Sequence, residues 1–285
     1  MKILITGGSG LVGLTLIKNL LKDGHQITTI GRNNVLECPH IYCDFNDFNI
    51  KLPKDFDVVF HLAQTEYYRD FPEKSIDIFN VNTISTLKLA EWARENNIKK
   101  FIYTSSGGIY GNHPKSFVEK DVIIHNNLGF YLGSKLCSEI ILDSYKGFFE
   151  VYSLRLFFAY GKEQKSNMLI PRLIRNIKMG NPINIDGDKG VIINPIHVSD
   201  VSKAIKSCLK LNSSGDYNIA GDDILSIYEI SETIGHILSI KPKYNFNKKK
   251  SISNKLVGNN EKMIKDLHKP NISFKDGIKN MLLGE

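Results

Sequence analysis

The first thirteen residues, MKILITGGSGLVG, constrain the fold of this chain more than any other stretch. Residues 2–6 are mostly aliphatic and end at a glycine, which is the pattern of a strand buried on both faces of a parallel sheet. Gly7, Gly10 and Gly13 follow at three-residue spacing, and residues 11–21 form an amphipathic segment. Glycines at this spacing let the backbone turn tightly and approach a ligand closely. The stretch therefore predicts a strand, a tight turn and a helix of an α/β fold.

The predicted turn also has the features of an anion site. A helix N-terminus presents unpaired amides and a partial positive charge, which suits the pyrophosphate of a dinucleotide. Because a strand precedes the glycines and an amphipathic segment follows them, the motif stands in the context that it requires. We expect contacts to the dinucleotide from Gly7, Ser9, Gly10, Leu11, Val12 and Gly13.

Composition favours a globular protein with a small anionic ligand. The chain has 285 residues, of which 42% are hydrophobic, and this length fits one large domain with a smaller lobe. The net charge is +7, but charges of both signs are interspersed apart from the lysines at 248–250. This distribution favours an anionic small molecule over nucleic acid as the partner.

The cysteines and the N-terminus indicate a cytoplasmic protein. The four cysteines show neither CxxC spacing nor companion histidines, so we expect reduced thiols, with no metal site and no disulfide framework. The sequence begins directly with the predicted strand and has no apolar run of transmembrane length. We therefore expect a soluble, cytoplasmic protein without membrane contacts.

The end of the second predicted strand bears on the choice of dinucleotide. Residues 26–30 read as this strand, and Gly31, Arg32 and Asn33 follow it. An acidic side chain here would bind the adenosine ribose and repel a 2′-phosphate, and none is present. Arg32 can pair with a 2′-phosphate through its planar donors, so the sequence favours NADP over NAD. The alternative is a solvated arginine with NAD bound less selectively.

Three further short strands are predicted, at residues 40–43, 57–62 and 100–105, with a long helix at residues 75–96. Asp44 and Phe45 follow the first of them and are placed to grip an adenine. Leu62, Ala63 and Gln64 form a turn suited to line a cofactor, next to His61, which we interpret as a packed structural histidine. The last strand runs into hydroxyls and glycines, from Ser105 to Gly111, at the edge where such sheets place their chemistry.

The predicted helix at residues 130–146 places Tyr131 and Lys135 one turn apart on one face. A free tyrosine titrates near ~10, and acid–base work at neutral pH needs a shift of about three units, or roughly 4 kcal/mol. An ammonium about 4 Å away supplies about that much at an effective dielectric of ~20. With Ser106 upstream, Tyr131 and Lys135 form a candidate catalytic set. The second copy of the spacing, Tyr244 with Lys248, has no sheet edge nearby and is a poor candidate.

These residues resemble the extended short-chain dehydrogenase/reductase family, in its branch of nucleotide-sugar epimerases, dehydratases and reductases. The resemblance spans nearly the whole chain, and it rests on Thr6 to Gly13, Asp44-Phe45, His61-Leu62-Ala63, Asn82, Thr104-Ser105-Ser106, Ile109-Tyr110-Gly111, Tyr131 with Lys135, Arg155-Leu156-Phe157, Tyr160-Gly161 and His197 to Asp200. It implies a Rossmann domain that binds NAD(P), a lobe that closes over a nucleotide-sugar, and a homodimer formed through the helices at residues 75–96 and 130–146. The resemblance further implies that Ser106, Tyr131 and Lys135 are catalytic and that Asn82, Thr104, Tyr131, Lys135 and Phe158 contact the cofactor.

The departures from this family narrow the activity. Dehydratases place an acidic pair after the catalytic hydroxyl, where this chain has Gly107 and Gly108, so dehydration is not expected. Many epimerases place an asparagine where this chain has Phe158 and a diphosphate-binding arginine where it has Ile193. Arg172 or Arg175, on a helix predicted at residues 168–179, can replace that charge, or can belong to a solvated basic face.

The sequence thus predicts a doubly wound α/β fold with a Rossmann domain at residues 1–162. A substrate-binding lobe spans 163–285, of which 191–220 return to the Rossmann domain. Substrate contacts are expected from Ser106, Gly107, Gly108, Tyr131 and Arg172. The favoured activity is NADP-linked reduction of a 4-keto nucleotide-sugar, and a 4-epimerase with tightly bound NAD is the alternative. A non-catalytic dinucleotide sensor or scaffold is the alternative from another class.

Overall fold

The fold is taken from a computed structural model, which describes residues 1–47, 52–111, 115–126, 128–247 and 255–283. The lysines at 248–250, and with them the pairing of Tyr244 with Lys248, lie outside these residues. Nine α-helices lie in the described part of the chain: α1 (Leu11–Lys22), α2 (Ser75–Phe79), α3 (Ser85–Glu95), α4 (Gly129–Asp143), α5 (Leu169–Lys178), α6 (Val198–Ser207), α7 (Ile227–Leu238), α8 (Glu261–Asp266) and α9 (Phe274–Leu283).

Most strands are short, as expected for an α/β protein. Those of the described residues are β1 (Lys2–Thr6), β2 (Gln26–Gly31), β3 (His40–Tyr42), β4 (Val58–His61), β5 (Lys100–Ser106), β6 (Glu150–Leu156), β7 (Ala159–Tyr160), β8 (Ile183–Asp186), β9 (Ile192–Ile193), β10 (Ile196–His197), β11 (Gly215–Ile219), β12 (Leu225–Ser226), β13 (Tyr244–Asn247) and β14 (Lys255–Leu256). The five strands predicted before residue 106 are confirmed to within a residue or two at each end.

The chain divides into two compact units, of which the first comprises residues 1–111, 122–156 and 202–217. It contains most of a seven-stranded sheet of order β11-β6-β5-β4-β1-β2-β3. Strand β1 pairs in parallel with both β2 and β4, with Ile3 opposite Ile27 on one side and Val58 on the other. The strand order reverses next to β1, and ligands of doubly wound folds bind at the carboxyl edge of such a switch point. This is the predicted Rossmann-type fold.

The central strands form because their side chains are apolar on both faces. Ile3, Leu4 and Ile5 are each fully buried, as is Phe60 on β4. A strand with this pattern can lie only inside a sheet that has helices on both sides. On one face, Leu4 and Phe101 belong to a core that also contains Leu89, Ala90, Ala93 and Leu142 from α3 and α4.

The predicted continuous helix at residues 75–96 is wrong in one respect. Between α2 and α3, residues Asn80–Ile84 form a π-helical turn. This turn contains the buried Asn82. The Asn82 carbonyl accepts hydrogen bonds from Thr86 Oγ1 at 2.6 Å and from Ser138 Oγ at 2.9 Å. Hydrophobic periodicity does not reveal such a local turn within a helical pattern.

The second unit comprises residues 112–121, 157–201 and 218–285, of which the described ones contain three small sheets. Helix α5 buries Ile170, Leu173 and Ile177, which lie on one face, in the hydrophobic core of this second unit. A capping box starts α7, because Ser226 accepts a hydrogen bond from the Glu229 amide and Glu229 accepts one from the Ser226 amide.

Several features are absent from the described part of the chain. No helix there combines the length and apolar character needed to cross a membrane. No cluster of three or more histidine, cysteine or acidic side chains is placed to hold a metal ion. The cysteines are free, and burial raises the pKa of the Cys43 thiol to about 11.

Candidate active site

The glycine loop between β1 and α1 has no room for side chains at two positions. A Cβ on Gly7, which adopts φ +67°, would lie 2.7 Å from both the carbonyl carbon of Leu62 and the nitrogen of Ala63. A Cβ on Gly13 would lie 2.4 Å from the Gly7 carbonyl oxygen. Only glycine fits there without a shift of the backbone. The loop, in which Ser9 is exposed, therefore packs against the segment that follows β4.

The first turn of α1 offers amides to an anion. The first i→i−4 bond is the one that the Leu14 amide donates to the Gly10 carbonyl at 3.0 Å, so the amides of Leu11, Val12 and Gly13 precede it. This turn contains no acidic side chain to compete for them. A helix N-terminus with closely packed glycines fits the pyrophosphate of a dinucleotide, which needs backbone without Cβ atoms beside it.

The segments after β2 and β4 are joined by an ion pair. Arg32 follows β2, and its Nη2 donates to Oε1 of Glu66 at 2.7 Å. The pKa of Arg32 is raised above its ordinary value, first by this hydrogen bond and also by the nearby charge of Asp44. The predicted 2′-phosphate ligand, Arg32, thus already has a carboxylate partner.

Asp44 and Phe45 follow β3 at the same edge of the sheet. Oδ1 of Asp44 accepts a hydrogen bond of 3.0 Å from the Asn46 amide, which fixes the turn. Phe45 is buried, and its ring meets the ring of His61 edge-on at 6.4 Å between centroids. The predicted adenine-binding pair therefore includes one half-buried carboxylate and one core aromatic.

His61 joins β1 to the helices through buried hydrogen bonds. Its Nδ1 lies 2.7 Å from Thr6 Oγ1, and its Nε2 lies 2.9 Å from Thr86 Oγ1. Thr6 Oγ1 accepts from the Ala63 amide, and Thr86 Oγ1 donates to the Asn82 carbonyl. These partners assign the proton to Nε2. Burial lowers the pKa of His61 to about 3, so the ring is neutral, as expected for a structural histidine.

Asn82 continues this connection to α4. Its Oδ1 accepts from the Thr65 amide at 2.9 Å, and its Nδ2 donates to Ser134 Oγ at 2.9 Å. Ser134 Oγ in turn donates to the carbonyl of Tyr131 at 2.7 Å. A buried amide needs polar partners, and one partner of Asn82 is thus a residue one turn from the candidate phenol.

Lys135 is fully buried, and its amine is directed at the C-terminal end of β5. Its Nζ donates to the Thr104 carbonyl at 2.9 Å and lies 4.8 Å from the centroid of the Tyr103 ring. Loss of solvation lowers the pKa of Lys135 to about 7, and the charge of Glu139 opposes this shift. At neutral pH the side chain is therefore divided between its charged and neutral forms.

Tyr131 lies on α4 and is half-buried, and its hydroxyl donates to Oε1 of Gln64 at 2.8 Å. Burial raises the pKa of Tyr131 above its ordinary value, and Tyr68, whose ring centroid is 5.7 Å away, adds to the shift. The prediction that Lys135 lowers the pKa of Tyr131 is therefore wrong for the protein without a dinucleotide. Desolvation dominates, because the Lys135 amine is directed at a backbone carbonyl and is itself only partly charged.

Ser106 ends β5 and caps the turn that follows it. Its Oγ accepts from the Gly108 amide at 3.1 Å. A Cβ on Gly108 would lie 2.8 Å from Leu132 Cδ2, so the turn at Gly107 and Gly108 packs directly against the residue after Tyr131. The structure thus brings the Ser106 turn next to α4.

The remaining predicted residues lie in the second unit. Phe158 has φ +47° and packs, partly buried, against the apolar core of that unit. Ile193 is fully buried in the same core and cannot stand in for a charged ligand of a diphosphate. Arg172 and Arg175 are exposed on α5.

Sequence reasoning did not find Glu66 or Ser134. Ser134 lies three residues after Tyr131, so helical spacing was an available signal for it. Glu66 lies two residues beyond Gln64, the last residue of the turn that was predicted to line a cofactor. Its contact with Arg32 joins positions 34 residues apart, and the sequence does not indicate this pairing.

The parallel sheet, its switch point and the glycine loop define a Rossmann-fold protein of the dinucleotide-binding class. The model of the NAD dependent epimerase/dehydratase family matches residues 3–220, and the chain belongs to this family.

Relatives that match most of this chain support the family membership. The chain is 28% identical to an uncharacterized UDP-glucose epimerase of Bacillus subtilis, over 98% of this chain and 96% of the relative. It is 28% identical to a UDP-N-acetyl-alpha-D-glucosaminuronate decarboxylase of Bacillus cytotoxicus, over 81% and 78%. Among solved structures, UDP-glucuronic acid 4-epimerase from Bacillus cereus, in complex with UDP-glucuronic acid and NAD, is 26% identical with a TM-score of 0.87. That alignment covers 98% of this chain and 97% of the epimerase.

Proposed function

We propose that this chain is an NAD-dependent 4-epimerase of a UDP-linked sugar. The observation that most supports the proposal is the position of the Tyr131 hydroxyl. It is bonded to Gln64, which directly follows the Leu62 and Ala63 backbone against which Gly7 packs. An acid–base group is therefore joined to the segment that borders the glycine loop. Epimerisation through a transient ketone needs one proton-transferring group next to a nicotinamide.

The similar proteins support the substrate class and the redox-neutral reaction. The similarity to UDP-glucuronic acid 4-epimerase extends over nearly the whole of both chains. The complex of that enzyme contains NAD, and an epimerase regenerates its cofactor in each turnover, so tight retention of NAD is expected here. The candidate substrates are UDP-linked hexoses, N-acetylhexosamines and hexuronates.

In this proposal, Tyr131 Oη takes the proton from the substrate 4-hydroxyl and returns it when the ketone is reduced on its other face. Bound NAD would supply a hydride acceptor and donor for C4 and a positive charge near the phenol. Ser106 Oγ donates a hydrogen bond to the reacting oxygen. Lys135 Nζ, in its charged form, would favour the phenolate once the dinucleotide is bound, whereas burial dominates the Tyr131 pKa in the protein alone.

Dehydration does not fit these residues. Elimination of water needs a further acid and base beside the sugar. The positions after Ser106 are Gly107 and Gly108, and the second is packed against Leu132 with no space for a side chain unless Leu132 moves. This argues against dehydration and favours oxidation and reduction at one carbon.

The second candidate is an NADP-linked reductase of a 4-keto nucleotide-sugar, which the sequence favoured. Two positions support it, because Phe158 and Ile193 replace polar residues that many epimerases have. Arg32 after β2 also supports NADP. A reductase must exchange its dinucleotide in every turnover, whereas an epimerase retains it.

The proposal extends to assembly and location. We expect a cytoplasmic homodimer formed through α2, α3 and α4, and a substrate-binding role for residues of the second unit, with Arg172 among them. Light scattering after gel filtration tests the dimer, and a monomer at micromolar concentration would contradict it.

The deciding experiment incubates the purified protein with UDP-glucose, UDP-glucuronate and UDP-N-acetylglucosamine without added reductant. We expect one of them to be converted to its C4 epimer, with NAD released on denaturation of the protein. Consumption of NADPH with a UDP- or dTDP-linked 4-keto sugar, with no epimer formed from any substrate, would instead establish the reductase. A Tyr131→Phe protein that is equally active in either assay would contradict both.

A further inference from the structure

Glu66 occupies a position that matters for the choice of dinucleotide. Strands β2 and β4 lie on either side of β1, the strand that leads into the glycine loop. Arg32 immediately follows β2, and Glu66 lies in the segment after β4. The Nη2–Oε1 contact of 2.7 Å therefore joins the two segments that flank the start of the candidate dinucleotide site.

Glu66 supplies, from another loop, the carboxylate that the residues directly after β2 lack. In dinucleotide-binding folds, an acidic group at this place binds the 2′-hydroxyl of NAD, whereas an arginine accepts the 2′-phosphate of NADP. Gly31, Arg32 and Asn33 contain no acid. Glu66, from a loop 34 residues further on, places one within hydrogen-bonding distance of the guanidinium.

The local charge disfavours a phosphate. Arg32 contributes one positive charge, and both Glu66 and Asp44 act on it electrostatically, which raises its pKa. The three groups together carry a net charge of −1. A 2′-phosphate carries about −1.5 to −2 at pH 7, so it must displace one carboxylate or share the guanidinium with it.

We propose that Glu66 is a specificity-determining residue, which selects NAD over NADP by holding Arg32 in an ion pair. The Arg32 and Glu66 side chains are 47% and 40% exposed, so solvent weakens the effect. We therefore expect a change of about tenfold in selectivity, and not several orders of magnitude, when the pair is broken. The inference rests on the dinucleotide-binding part of the proposed function and not on the reaction that follows.

The test measures the dissociation constants of NAD and NADP by calorimetry, without sugar, for wild type, E66Q, R32Q and the double variant. The control E95Q makes the same charge change at the last residue of α3, five residues before β5 begins. Glu95 therefore precedes the amino end of β5, whereas Arg32 and Glu66 follow the carboxyl ends of β2 and β4. We expect wild type to prefer NAD, E66Q to lower the ratio Kd(NADP)/Kd(NAD) about tenfold, and E95Q to leave it unchanged. The gain in relative affinity for NADP must vanish in the double variant, because this gain needs an Arg32 side chain released from Glu66.

Three results would overturn the role of Glu66: a wild type that prefers NADP, an E66Q protein with an unchanged ratio, or a double variant that gains as much as E66Q. A wild type that binds neither dinucleotide would overturn the proposed function as well. Thermal unfolding of each protein without ligand verifies that the exposed substitutions leave the fold intact.

Discussion

The amine of Lys135 donates a 2.9 Å hydrogen bond to the carbonyl of Thr104, inside a region closed to solvent. A buried lysine whose pKa falls from 10.5 to about 7 binds fewer protons in the folded than in the unfolded state between these two values. Folding stability therefore rises with pH across that window, and the penalty for charging the amine is fully present below about pH 7.

A Lys135→Met protein lacks this penalty. We expect its free energy of unfolding, relative to wild type, to be most favourable at and below pH 7 and to decline by about 1.4 kcal/mol per pH unit toward pH 10. Urea unfolding at pH 7 and pH 9 measures the difference. A difference that is independent of pH would show that Lys135 is not desolvated as the structure indicates.

Replacement of Tyr131 by phenylalanine removes the proposed proton-transferring group. We expect kcat to fall by about 10³-fold, within the range for loss of general acid–base catalysis, while the Kd for NAD changes less than about threefold. Tyr244→Phe serves as the control, because Tyr244 is the other tyrosine with this spacing and its hydroxyl donates to Glu232. A comparable loss in both variants would mean that the effect is structural.

His61 is predicted to stay neutral, with its proton on Nε2, throughout the pH range of activity. Because the folded pKa is about 3, below the unfolded value near ~6.5, stability from this group is present above pH 6.5 and lost as the pH falls toward 3. Nitrogen NMR of the ring should show one unchanging tautomer from pH 5 to pH 8. A ring that titrates in that interval would contradict the hydrogen-bond assignment.

The glycine loop gives a steric prediction. Gly13→Ala places a Cβ 2.4 Å from a backbone oxygen, and we expect a loss of about 1–3 kcal/mol in stability with at least tenfold weaker NAD binding. A Cβ on Gly147 would have no heavy atom within 4 Å, so Gly147→Ala is the matched control. Calorimetry and urea unfolding measure both quantities, and equal behaviour of the two variants would show that close packing at Gly13 is unimportant.

Local patterns were sufficient to predict β1, the glycine loop and the common face of Tyr131 and Lys135. Each depends on residues within one or two turns of one another. The hydrogen bond from Asn82 to Ser134 could not be predicted in this way, because the two residues are 52 positions apart.

The pKa of Tyr131 was predicted in the wrong direction for a related reason. Helical spacing shows that Lys135 is one turn away, but it does not show where the amine points or how completely the phenol is desolvated. The contacts to Thr104 and Gln64 decide both. The burial of the phenol and the direction of the amine depend on tertiary structure. Helical spacing shows only that the two side chains can interact.

The most direct test of the account follows the C4 proton of the substrate by NMR while the enzyme acts on its UDP-sugar in D₂O. Oxidation and re-reduction at one carbon, with Tyr131 exchanging only the hydroxyl proton, predicts a C4 epimer that retains its carbon-bound proton. Deuterium at C4 of the epimer, or no epimer from any UDP-sugar under conditions where NAD is bound, would contradict the central claim.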